Sequence, residues 1–305
     1  MPPISVFQVV VLAVVQGLAE LLPVSSSAHV VVAEKLMGLD PTSPAMTLLL
    51  VMLHTGTMFA VIVYFWKRWA LTYFRSGGAF QSVLARIVAA TVLTGVVGYP
   101  IQKVIEKTMF HGAPKAEIEQ LFGRLDLIAV ALFCVGVLIL IAGLAERRSM
   151  IGRRSMTGRP RVSADDEEMT MGQAGVIGAV QGLSLPFRGF SRSGSTISAG
   201  MLAGVNREHA ETFSFALAVV LTPAVLGREG LRLLKATHEA TAAGTPVDLH
   251  GVLGLSVLGM VLAFVAGLAG LKWLSSWLES GKWWLFGVYC LVASVVVFGL
   301  HLKGY

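Results

Sequence analysis

The chain has 305 residues, of which 55% are hydrophobic and 14% charged, with a mean hydropathy of +0.73 and a formal net charge of +6. Such a balance excludes a soluble domain built on one core and points to a polytopic membrane protein. The Lys and Arg residues fall between apolar runs, the ordinary membrane pattern, so the positive charge does not imply a nucleic-acid partner.

The N-terminus has neither a basic n-region nor a small-residue cleavage site, so no removable signal peptide is expected. Val9 to Val15 is wholly apolar and leads into Gln16-Gly-Leu-Ala-Glu20-Leu-Leu-Pro23-Val-Ser25-Ser26-Ser27-Ala-His29. Gln16 and Glu20 are four apart and share one helical face. Pro23 should end that helix, because its ring clashes with the preceding turn and it lacks an N–H. Ser25, Ser26 and Ser27 follow where a second helix would begin, a place where hydroxyls cap N–H groups and anions are attracted. The pattern predicts a helical hairpin that need not cross the membrane.

Ala45 to Trp66 is long enough to span and ends in Lys67-Arg68; Val83 to Tyr99 is a shorter second span. Pro100 to Gln120 is polar and mixed in charge, and reads as a loop with some amphipathic helix. Leu125 to Ala145 is the third span. An Arg-rich linker over 147–170 then separates a first repeat, 1–146, from a second, 171–305.

The second half repeats the plan. Gln181-Gly-Leu-Ser-Leu-Pro186-Phe-Arg188-Gly-Phe-Ser191-Arg192-Ser193-Gly194-Ser195-Thr196 again has Gln-Gly-Leu, a proline and a serine cluster, at an offset of 165 residues. This hairpin occupies Met171 to about Gly204. Phe213 to Leu226 is the middle of a span, Gly227 to His250 a polar loop, and Val252 to Leu271 and Trp283 to His301 complete the set. The expected architecture is all-α: six transmembrane helices plus two re-entrant hairpins, related as an inverted-topology repeat with the site at their interface. Arg147, Arg148, Arg153, Arg154, Arg159 and Arg161 place the linker in the cytoplasm by the positive-inside rule. The first hairpin then enters from the outer side, although Arg228, Arg232 and Lys235 fall there too. Cys134 and Cys290 lie in apolar spans without metal-ligand spacing and read as core residues.

Ionisable groups at membrane depth are costly and mark functional sites. Ser191 to Thr196 has the makings of a phosphate cradle, with a planar guanidinium from Arg192 and a helix N-terminus behind it. A small-residue packing motif would explain the Gly and Ser residues but not the arginine. Glu20 suits a general base or a divalent-cation ligand; alternatively it is a carboxylate neutralised by a partner such as Arg192. Ser26 is a candidate nucleophile with His29 three residues on. His54 fits packing and the rim of the site equally well, and His111, His209, His238, His250 and His301 read as loop or interface residues.

These two stretches resemble the signatures of bacterial undecaprenyl-pyrophosphate phosphatases of the bacitracin-resistance type, and the resemblance covers nearly the whole chain, including Phe65-Trp-Lys-Arg68 and Phe213-Ser-Phe-Ala-Leu-Ala218. It implies an integral-membrane hydrolase of the bacterial inner membrane, open to the outer face. Such an enzyme removes one phosphate from a C55 polyprenyl pyrophosphate, recycling the lipid for peptidoglycan synthesis and conferring bacitracin resistance. By the motif match Glu20, Ser26, His29 and Arg192 form the catalytic set. Gln16, Ser25, Ser27, Arg188, Ser191, Ser193, Gly194 and Thr196 would bind substrate, with Mg2+ or Ca2+ held at Glu20. The expected partners are the lipid substrate and the bilayer, and a homodimer is compatible with the reading.

Three departures from the pattern stand out: Ser27-Ala28 replaces Thr-Gly, Arg188 stands where a proline precedes the Gly, and Gln16 leaves one carboxylate instead of two. A polyprenyl-phosphate transporter or flippase with the same repeat is the alternative function. The Pro-Ser-Gly-His motif of acid-phosphatase-like lipid phosphatases is absent, and the buried polar hairpins argue against a purely structural subunit.

Overall fold

Ten α-helices and no strand make up the described residues, which in this computed structural model are 4–20, 22–109, 121–155, 169–242, 249–278 and 282–305. The first, α1 (Val6–Ala19), opens on a capping box: the Ser5 hydroxyl accepts from the Gln8 N–H at 3.2 Å, and the Gln8 side chain accepts from the Ser5 N–H at 2.9 Å. Helix α6 (Met171–Ser184) opens on the same device, built from Thr170 and Gln173. Each such box satisfies two of the N–H groups that a helix start leaves without partners. Both helices stop short of a proline, Pro23 and Pro186, and after a bend come the short helices α2 (Ser26–Leu36) and α7 (Arg192–Leu202).

The remaining helices are α3 (Pro44–Thr72), α4 (Gly77–Met109), α5 (Leu125–Ser155), α8 (Arg207–Ala242), α9 (Leu249–Leu278) and α10 (Trp284–Leu302). Each of these six holds a stretch long and apolar enough to cross a membrane, so the chain is a multi-pass membrane protein.

Several boundaries differ from the sequence expectation. The loop expected from Pro100 to Gln120 is helical as far as Met109, with Pro100 inside α4. One proline removes a single bond, and Glu106 holds the next turns by accepting from Gln102 at 2.8 Å and Lys103 at 3.0 Å. Residues 110–120 lie outside the described residues. The polar loop expected from Gly227 to His250 is helical to Ala242, since Leu231, Leu233 and Leu234 continue the apolar run, and 243–248 lie outside the described residues. Likewise α5 carries Arg147 and Arg148 and runs to Ser155, into the expected linker, of which 156–168 lie outside the described residues. Cys290 is buried as expected, whereas Cys134 faces outward on α5.

The helices pack as α5 with α10, α3 with α9 and α8, α4 with α6, and α1 with α9. Small residues let these backbones approach closely, as membrane helices require when lipid is as apolar as the side chains. A Cβ on Gly287 of α10 would lie 2.6 Å from the Leu140 nitrogen of α5. Two indoles tie distant elements together: Trp69 donates to the Thr212 carbonyl at 3.2 Å, and Trp283 to the Ser198 hydroxyl at 3.0 Å. The two bends meet in the middle of the molecule. A Cβ on Gly194 would fall 2.7 Å from the Pro23 carbonyl oxygen and 2.8 Å from Ile139 Cδ1, so α7 rests on the first bend through a hydrogen atom.

Candidate active site

Where the bends meet, a cavity of about 550 Å³ opens between α3, α4 and α8. Its floor is polar and comes from the bends; its walls include Leu50 and Val51 of α3, Leu221 and Val225 of α8, and Phe187. Glu20, the residue just past the end of α1, is the one acid among the described residues lining it, and it is only 6% exposed. A buried carboxylate survives only if its charge and lone pairs are met.

Here they are. Oε1 of Glu20 accepts from Arg192 Nη2 at 2.8 Å; Oε2 accepts from Gln16 Nε2 at 2.7 Å and from the Ser26 hydroxyl. His54 Nε2 stands 3.4 Å from the same Oε2. The helical spacing of Gln16 and Glu20 produces the first of these bonds, and the bend at Pro23 brings Ser26 back over the end of α1. Arg192 arrives from the other half, 172 residues away.

The start of α7 is fixed by its own side chains. Ser191 accepts from the Gly194 N–H at 3.1 Å, while the Ser195 and Thr196 hydroxyls donate to the Arg192 carbonyl at 3.0 and 2.8 Å. Ahead of it, Gly189 has φ +100°, and a Cβ there would lie 2.6 Å from the Ile128 carbonyl oxygen. Only glycine takes that conformation without strain, and it places Arg188 and Arg192 on the two sides of one tight turn. Arg188 also lines the cavity, its guanidinium 4.0 Å over the centre of the Phe122 ring. Its charge acts on Glu34 of α2, which is buried and whose Oε2 has no hydrogen-bond partner.

Of the residues singled out from the sequence, Glu20, Ser25, Ser26, Ser27, Arg188, Ser191, Arg192 and Ser193 line this one cavity. Gln16 stands behind Glu20, Gly194 packs on Pro23, and Thr196 turns back into its own helix. His29 does not face Glu20. Its Nδ1 meets the Ser25 carbonyl at 2.8 Å and its Nε2 the Tyr289 hydroxyl of α10 at 2.7 Å. The imidazole beside Glu20 is that of His54, whose Nδ1 is held by the Leu50 carbonyl at 2.8 Å. A lone ionisable residue inside an apolar span was the signal for it. Thr47, Thr91, Thr94, Tyr99, Gln102, Thr222 and Arg228 are also polar lining residues, and no local motif marks them; Ser184, from the second stretch, lines the cavity too.

Among the described residues, no three of His, Cys, Asp and Glu come together as a metal-holding group. Glu20 is a single carboxylate, which suits a cation that takes most of its ligands from a substrate's phosphates and water.

The family model described as bacitracin resistance protein BacA matches residues 9–296 of the chain. The chain is 51% identical over 296 residues to undecaprenyl-diphosphatase 2 of Acinetobacter baylyi, covering 97% of this chain and 98% of that protein. It is 30% identical over 300 residues to the undecaprenyl-diphosphatase of Rhodopirellula baltica, covering 98% and 99%. Against undecaprenyl-diphosphatase 2 of Burkholderia orbicola the identity is 32% over 309 residues, covering 97% and 96%.

Proposed function

The chain belongs to the bacitracin resistance protein BacA family, and from that premise we propose that it is an undecaprenyl-diphosphatase, a hydrolase that converts the C55 polyprenyl pyrophosphate to the monophosphate and phosphate. It serves peptidoglycan synthesis by returning the carrier lipid, and the same activity confers bacitracin resistance. The observation that carries this reading is the Glu20–Arg192 pair: a carboxylate bonded to a serine hydroxyl on one side and to a guanidinium, a group suited to phosphate, on the other.

The substrate's terminal phosphate would take Arg192 and the N-terminus of α7, whose dipole and N–H groups favour anions. Arg188 stands where it can meet the second phosphate. The Ser26 hydroxyl then attacks the terminal phosphorus while Glu20 takes its proton, and the bond from phosphorus to the bridging oxygen breaks. The lipid monophosphate leaves with that oxygen. Water hydrolyses the phosphoserine, and Ser26 regains its proton from Glu20. Arg192 offsets the charge that builds on the equatorial oxygens. A divalent cation, Mg2+ or Ca2+, would be held by Glu20 together with the pyrophosphate and would supply further charge neutralisation.

The same reading includes the re-entrant hairpins and the inverted repeat. In support, each half leans its first short helix on the other half's long one: α1 packs on α9 and α6 on α4, while α3 packs on α9 and α8 on α4. The cavity uses the first half of α3 and the second half of α4, the end away from Lys67, Arg68, Arg147 and Arg148. The positive-inside rule favours that end facing out, which supports a site on the outer side of a bacterial inner membrane. The test is phosphate release by detergent-purified protein from C55 polyprenyl pyrophosphate, beside Glu20→Ala, Ser26→Ala and Arg192→Ala. Release that disappears in all three supports the proposal; no release from folded wild type, with either cation, overturns it.

A further inference from the structure

Ser25 is the only non-glycine residue with positive φ among the described residues, at +68°, and its side chain makes no cap bond to α2. A left-handed conformation strains an L-residue and persists only where the surroundings impose it. The contact on the carbonyl of Ser25 is His29. The Ser25 carbonyl accepts from the His29 backbone N–H at 3.4 Å and from Nδ1 of its ring at 2.8 Å. Because a carbonyl only accepts, Nδ1 carries the ring proton, and Nε2 of the neutral ring is an acceptor. Tyr289 supplies the donor: its hydroxyl lies 2.7 Å from Nε2, and the two rings stack at 5.7 Å. Both ring nitrogens are thereby engaged, and neither is left to take a proton from Ser26.

We infer that Tyr289 is a positioning residue of this site, acting through His29 and the Ser25 carbonyl to hold the left-handed turn that aims Ser26 at Glu20. The chain of contacts is continuous: Tyr289 hydroxyl, imidazole, Ser25 carbonyl, then the next residue's hydroxyl on the Glu20 carboxylate. It starts on the half-exposed outer surface of α10, 260 residues from the histidine it holds. The inference rests on the phosphatase reading and adds to it a residue outside both signature stretches.

The experiment is a double-mutant cycle on phosphate release with full-length protein in detergent: wild type, Tyr289→Phe, Ser25→Gly and the pair together. Tyr289→Phe keeps the ring stack and removes the bond. Turnover should fall about fivefold, the worth of one hydrogen bond, with KM within about twofold. Glycine adopts positive φ without strain, so in the Ser25→Gly background the same change should cost less than about twofold. Wild-type turnover in Tyr289→Phe, or an equal loss in both backgrounds, overturns the inference while the phosphatase reading stands. No release from wild type overturns both. Nitrogen-15 NMR of histidine-labelled wild type reads the bond without any substitution: His29 should show a protonated Nδ1 and an accepting Nε2, and the opposite tautomer would overturn the inference.

Discussion

Gly194→Ala puts the meeting of the two bends to the test. The added methyl would sit 2.7 Å from the Pro23 carbonyl oxygen, 2.8 Å from Ile139 Cδ1 and 3.0 Å from the Ser191 hydroxyl, where ordinary contact begins at 3.4 Å. Relieving the worst of these requires α7 to retreat from the first bend by about 0.7 Å. Arg192 is two residues away on the same helix, and its 2.8 Å bond to Glu20 would stretch to about 3.5 Å, beyond hydrogen-bond reach. A misplacement of 1 Å costs about a hundredfold in rate, so 0.7 Å corresponds to about 25-fold in kcat. Overpacking costs about 1–3 kcal/mol, reduced by up to about 1 kcal/mol because alanine is the better helix former. Gly200→Ala is the control. It lies in the same helix and is crowded by Ala210 Cβ at 3.0 Å and Ile177 Cδ1 at 3.1 Å, away from the site. It should lower the thermal midpoint and leave kcat near wild type. Steady-state phosphate release and thermal unfolding followed by tryptophan fluorescence give both quantities. Full turnover in Gly194→Ala, or an equal kcat loss in Gly200→Ala, would refute the reasoning.

Four further outcomes are expected. Arg192→Lys should lose most activity despite keeping the charge, because a single ammonium cannot hold Glu20 and a phosphate in one plane; kcat reads it. Arg192→Ala should cost about 3–5 kcal/mol of stability by stranding a buried carboxylate, and Glu20→Gln in the same chain should restore part of it in a denaturation cycle. Trp283→Phe removes the 3.0 Å bond to the buried Ser198 hydroxyl and should cost about 1 kcal/mol with turnover intact, read by the thermal midpoint. Arg188→Ala should raise KM about tenfold with a smaller change in kcat, read by steady-state phosphate release.

Much of this was legible in the chain. Polar residues cannot interrupt an apolar run at two corresponding places without a reason, so Glu20, the serines and Arg192 announced themselves, and the cavity gathers eight of the residues they suggested. Helix ends were less legible. Pro100 reads as a stop, yet α4 passes it because local side-chain pairs sustain the next turns. Where a helical side chain points was legible only to within a sector. Ser26 and His29 are three residues apart and share a face loosely, about 60° off one another. That offset is enough to send one to Glu20 and the other to Tyr289 on α10. Contacts such as His54 with Glu20 depend on the packing of whole helices, and no spacing along the chain encodes them.

The bond between Glu20 and Arg192 divides the centre between the two halves of the chain, one acid from the first and one arginine from the second. Two copies of the first half would bring two acids to the centre, and two copies of the second would bring two arginines; neither assembly contains the pair. A chain cut between α5 and α6 therefore yields two inert fragments, and hydrolysis returns only when the unlike pieces find each other. Such complementation reports on assembly in the bilayer directly, since the rate of phosphate release is proportional to the number of correctly joined centres.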